Sequence, residues 1–118
     1  MTEIPIRERL PSQIFAEWAK KWVALDGAAR LLEENRKTVF HQLRADELFA
    51  HPKISISAAE GNVYTNQKYI EYIKEMVETR TKANEARVAM KFAEIRAQEH
   101  NSEAAAARME RRMMSTNG

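Results

Sequence analysis

The chain has no cysteine, three glycines and three prolines in 118 residues. Without thiols there is no disulfide, no thiolate metal site and no cysteine nucleophile. So few turn-forming residues exclude a loop-rich or all-β architecture, whose tight turns depend on them. No uninterrupted apolar stretch approaches membrane-spanning length. No sign of charge dominates either, with 19 Lys and Arg against 17 Asp and Glu for a net +2. That balance tolerates contact with nucleic acid without demanding it. Met1 to Pro11 carries Glu3, Arg7, Glu8 and Arg9 and lacks the apolar core of a signal peptide. Together with the missing cysteine, this leads us to expect a cytoplasmic protein with no membrane partner.

Catalytic patterns are also missing. His41, His51 and His100 lie far apart, and no H-E-x-x-H or C-x-x-C spacing exists. Gly27, Gly61 and Gly118 are isolated, so no glycine-rich phosphate cradle forms. The neighbouring carboxylates Glu33 and Glu34, and Glu71 and Glu75, fall on helical faces that offer no cleft to separate two pKa values. We therefore expect no enzyme, no cofactor and no metal.

What the chain does have is helical periodicity. Phe15, Trp18, Trp22, Leu25, Ala29, Leu32, Arg36, Val39 and Leu43 keep heptad register, which predicts one helix with an apolar seam. Its expected bounds are Gln13 to Ala45, with Ser12 as N-cap after the two prolines of an N-terminal arm over residues 1–11. Glu17–Lys21, Asp26–Arg30 and Glu33–Lys37 stand one turn apart, acid first, in the order that supports a helix. Gly27 costs about 1 kcal/mol relative to Ala inside a helix. The register passes through it unchanged, so we expect no break there.

Residues 46–65 read as a connector. Pro52 breaks helix, Lys53–Ser57 alternates like a short strand, and Ser57 to Glu60 has capping-box spacing. A lone strand would lack a pairing partner, so a short helical turn near 58–63, ended by Gly61-Asn62, is favoured. A second helix is expected over 66–97, with an apolar stripe at Ile70, Ile73, Val77, Thr81, Asn84, Val88, Phe92 and Ile95 in eleven-residue rhythm. Residues 98–118 would form a helical overhang and a disordered tail from Ser115.

The two helices would fold back on each other over residues 12–97. The expected fold is all-α, an antiparallel, coiled-coil-like helical hairpin with a short irregular connector. In this register Ala29 lies opposite Lys82-Ala83 and Trp22 lies near Val88 and Phe92. The core would hold Phe15, Trp18, Trp22, Leu25 and Leu32 from the first helix and Val77, Val88, Phe92 and Ile95 from the second. Arg36, Thr81 and Asn84 would be polar register devices inside it. Apolar residues beside the seam (Ile14, Val23, Phe40, Met76 and Met90) exceed what one partner helix covers, which points to dimerisation into a helical bundle.

Two surfaces could bind partners. Arg108, Met109, Arg111, Arg112 and Met113 make a basic, methionine-rich turn suited to docking on another protein, since flexible Met side chains adapt to a groove. Arg80, Lys82, Arg87, Lys91 and Arg96 supply the cations for an alternative, nucleic-acid-binding reading.

The segments Glu71 to Glu78, Ala83 to Val88, and Ser102-Glu103-Ala104 to Arg108-Met109-Glu110 resemble small helical accessory proteins of phages and prophages, of the recombination or host-takeover type. The resemblance covers about half the chain, mainly the second helix. It implies a non-enzymatic protein that binds a larger host or phage complex of DNA metabolism or defence. It transfers no catalytic residue.

Overall fold

The structure is a computed structural model that describes residues 10–116. Three helices follow one another: α1 over Pro11–Ala50, α2 over Ile56–Thr65 and α3 over Gln67–Thr116. The described residues contain no strand, so the all-α expectation holds. Ile4 and Ile6 of the expected arm, and Asn117 and Gly118 of the expected tail, lie outside the described residues. Ser115 and Thr116 belong to α3 rather than to a disordered end.

Local chemistry explains each boundary. Pro11 opens α1, where its missing N–H costs nothing. Ser12 is not the cap. Instead the Leu10 amide donates to Gln13 Oε1 at 3.2 Å, and the Leu10 carbonyl accepts from the Gln13 and Ile14 amides. The helix passes Ala45 and runs to Ala50, because nothing disfavours it until His51-Pro52. Gly27 sits inside it without a break. The helical reading of the connector prevails over the strand, but as the full helix α2. Its cap is Ser55, whose Oγ accepts from the Ala58 amide at 3.1 Å, and Gly61-Asn62 does not end it. Asn66 does. Its amide donates to the Val63 carbonyl at 3.0 Å, and its Oδ1 accepts from the Lys68 amide at 2.8 Å. One residue thus closes α2 and caps α3.

Two compact units contain these helices. One holds Ala24–Ala83; the other holds the residues up to Val23 together with those from Asn84 onward. We call them the central and the terminal unit.

In the central unit α1 and α3 run antiparallel as a hairpin with α2 between them in sequence. The Tyr72 hydroxyl donates to the Leu32 carbonyl at 2.6 Å, and Arg80 reaches Asp26 and Glu33. Ala29 and Ala83 are both fully buried, but Arg80, bonded to Asp26 and Glu33 on either side of Ala29, is the α3 residue opposite Ala29. The apolar core lies toward the α2 end, where Leu43, Val63 and Tyr69 are buried and Val39, Phe40 and Ile73 pack on them. Arg44 bonds Glu60 at 2.9 Å and Asn62 donates to Glu47 at 3.4 Å, tying α2 to α1 at its rim.

In the terminal unit, α1 contributes half-buried Ile14, Phe15, Trp18 and Trp22, and α3 contributes buried Ala86 and Ala93 with half-buried Ala89, Met90 and Ala97. Large side chains on one helix meet small ones on the other, so the helices can approach closely.

The first-helix seam is therefore found as expected, Leu25 and Leu32 being half-buried in the central unit, except at Arg36, which is exposed. Of the second-helix stripe, Ile73 packs on the core as expected, but most of the rest does not. Val77, Val88, Phe92 and Ile95 are 54%, 56%, 67% and 52% exposed, and Thr81 and Asn84 are exposed as well. The expected place of Val88 and Phe92 near Trp22 does not fit their exposure, since the buried side of α3 there carries Ala86 and Ala93. The inward positions of α3 are Tyr69, Ile73, Met76, Arg80 and Ala83 in the central unit, then Ala86, Met90, Ala93 and Ala97 in the terminal unit. They too recur at three- and four-residue steps. The tryptophans already fill the gap from the α1 side, so α3 presents alanine there and its bulkier residues stay outside.

Both described glycines are helical, have no positive φ and meet open space where a Cβ would stand. Gly27→Ala should therefore stabilise the protein by up to about 1 kcal/mol, read from the urea midpoint at unchanged slope. A loss of stability would contradict the open environment at this position.

Candidate functional site

Three features of the surface could carry function. The first is an ionic clamp in the central unit. Arg80 on α3 makes a fork on Glu33, with Nη2–Oε1 at 2.6 Å and Nε–Oε2 at 3.1 Å, and its Nη1 reaches Asp26 Oδ1 at 2.8 Å. Asp26 also accepts from Arg30 Nε at 2.9 Å, one turn along α1. Asp26, Ala29 and Glu33 share one face of α1, so the clamp brackets the buried Ala29. The Arg80 guanidinium, by hydrogen bonding first and by its charge second, holds the Glu33 carboxyl below its ordinary value. The two carboxylates push Arg80 up in turn. Glu33 is thereby drawn to α3 rather than to the expected Lys37, while Lys21 stacks over Trp18 at 4.8 Å.

The second feature is an aromatic cleft, also in the central unit. Phe40 stands 5.4 Å from Tyr64 and 5.8 Å from Tyr69, and the two tyrosine rings are 5.9 Å apart. Edge-on and tilted rings at these separations attract one another. With Arg36, Lys37 and His41 they line an open cleft of about 300 Å³. Sequence reasoning singled out neither Tyr64 nor Tyr69. The available signal was their position on either side of Asn66, where a turn between helices swings both toward α1.

The third feature is the outer face of α3 in the terminal unit. Val88, Phe92, Ile95, Met109 and Met113 are 56%, 67%, 52%, 66% and 60% exposed. They share one side of the helix, opposite the side that buries Ala86 and Ala93. Val88, Phe92 and Ile95 form one exposed apolar cluster at three- and four-residue steps, and Met109 and Met113 a second beyond the polar Glu99 and Ser102.

The sequence-derived sites distribute over these features. Arg108, Met109, Arg111, Arg112 and Met113 all lie on exposed turns of α3, with Met109 and Met113 on the outer strip. The five cations of the nucleic-acid reading do not form one row. Arg80 is engaged in the clamp, Arg87 and Lys91 stand one turn apart on one side of α3, and Lys82 and Arg96 fall on the other. His41 stacks edge-on with Phe40 at 5.8 Å and His51 lies 3.9 Å from Glu47. Among the described residues no group of three or more His, Cys, Asp or Glu could hold a metal ion, and no helix is long and apolar enough to cross a membrane.

The fold defines the protein as a small all-α helical-hairpin protein. No family model, curated protein or solved structure matches the chain.

Two outcomes follow from this geometry. Burial, and after it the nearby Glu75 charge, push the Tyr72 phenol up, and its hydroxyl donates to an α1 carbonyl. Tyr72→Phe should cost about 1 kcal/mol in urea unfolding; no cost would show that water serves Leu32 equally well. Glu33 has a depressed folded value relative to the ordinary 4.5. Its contribution is thus fully present above pH 4.5 and lost as pH falls through the lower folded value. The urea midpoint of the wild type should fall on acidification through that window, and Arg80→Met should flatten the fall. Parallel acid limbs for the two proteins would remove the clamp from the stability argument.

Proposed function

We propose that the protein is a non-enzymatic protein–protein interaction module that offers the outer face of α3 to a helix of a partner chain. The observation that carries this reading is the inversion of α3 in the terminal unit: alanine lies inside, and Val88, Phe92, Ile95 and Met109 lie outside. Placing Phe92 in water is unfavourable by roughly 1.5–3 kcal/mol relative to burying it. A second helix laid along the strip removes that cost, with residues four and seven apart as anchors. Met109 can adapt to the shape of an incoming groove, and Arg108, Arg111 and Arg112 surround it with charge. A target in a host or phage DNA-metabolism or defence complex, which the sequence resemblance implies, belongs to the same proposal.

Affinity capture from the native host tests the reading. The wild type should retain a partner that Phe92→Glu with Ile95→Glu loses, with far-UV circular dichroism unchanged. Identical retention by both proteins would overturn the assignment of this face.

A further inference from the structure

We infer that the helix received by this face is α3 of a second copy of the same chain, running antiparallel. The inference rests on the reading of the outer face given above and adds the identity and direction of its occupant.

The strip is a regular heptad seam. Val88, Phe92, Ile95, Glu99, Ser102, Ala106, Met109 and Met113 follow one another at alternating four- and three-residue steps. Its composition is nearly symmetric about its middle, with bulky apolar residues at both ends and two polar ones at the centre. A two-fold contact is self-complementary, so such a stripe is what it requires. Laid antiparallel about a point between His100 and Asn101, the seam brings Val88 against Met113, Phe92 against Met109 and Ile95 against Ala106 of the partner copy. Large residues then meet small or flexible ones at every apolar layer. At the centre Glu99 meets Ser102 of the partner copy, whose hydroxyl can donate to the carboxylate.

Charge selects this direction over its alternative. In a parallel pair Glu99 would meet its own copy in the same layer, and Lys91 would flank Arg96 of the partner copy. Both contacts repel. In the antiparallel pair the flanking positions set Arg96 beside Glu103 of the partner copy, twice by symmetry. The opposing flank sets Lys91 near Arg112, a like-charge contact at the solvated rim, where salt screens it. The described α1 residues Ile14, Phe15, Trp18 and Trp22 are half-buried, and α3 buries its alanine side rather than the strip.

The seam from Val88 to Met113 is about 39 Å long at 1.5 Å per residue. It stays within the terminal unit.

The absence of native cysteine makes the test direct. The full-length protein at micromolar concentration should have about twice its chain mass of 13.6 kDa by light scattering. Phe92→Glu should return it to monomer at unchanged helicity. Under mild oxidation, Ile95→Cys mixed with Ala106→Cys should give a disulfide between the two variants. Neither variant should cross-link to itself, because antiparallel copies set two Ile95 positions about 16 Å apart along the axis. Arg96→Glu should raise the dimer Kd about fivefold or more, and Arg96→Glu with Glu103→Arg should restore it. A monomeric wild type, or self-cross-linking of either single variant, would overturn the inference. A monomeric wild type that still captures a host partner through Phe92 would leave the interaction reading intact, so the two failures are distinguishable.

Discussion

The central unit depends on the close approach of α1 and α3, where Ala29 on one helix and Ala83 on the other are buried. Both are fully buried, and a larger side chain at either would force the helices apart. Here Arg80 spans from α3 to two carboxylates of α1. Exposed ion pairs contribute little on their own, and this clamp acts chiefly on geometry. A planar guanidinium bonded in two directions accepts only one sliding position of α3 along α1. With that position held, Tyr72 meets the Leu32 carbonyl and Tyr69 reaches the core formed by Leu43 and Val63.

The helix α3 reads differently from its two sides. In the terminal unit its inward side is lined by Ala86, Ala89, Ala93 and Ala97 with Met90, and α1 supplies the half-buried Trp18 and Trp22. Its outward side carries the branched and aromatic residues that would ordinarily fill a core. Phe92 and Ile95 both remain more than half exposed among the described residues. A chain that keeps such residues in register on a solvated face bears a solubility cost that contact with a further helix removes. This unites the proposed interaction role and its proposed symmetric form in one property of one helix.

Much of the fold was legible from particular residues. The heptad run from Phe15 to Leu43, the breaker Pro52 and the absence of turn residues were enough for two long helices with a short third element. Counting outward from the connector gave the antiparallel direction, though it set Ala83 rather than Arg80 opposite Ala29. The error lay in taking the heaviest stripe of α3 as its buried one. Hydrophobicity ranks Val, Phe and Ile above Ala, yet the competing stripe at Ala83, Ala86, Met90, Ala93 and Ala97 has the same step pattern. Only the bulk of the opposing helix decides between them. The clamp was half visible: Asp26 and Glu33 were recognised, but as partners of residues on their own helix.

Local sequence determined the elements themselves, because capping, proline geometry and side-chain periodicity act within a few residues of each other. It also determined that no thiol chemistry is possible. The tertiary structure decided which face of α3 is buried, which cation engages the α1 carboxylates and which aromatic rings meet around Phe40. Those outcomes depend on the volume and charge that one helix presents to another across a gap of one side chain. No stretch of a single helix contains that information.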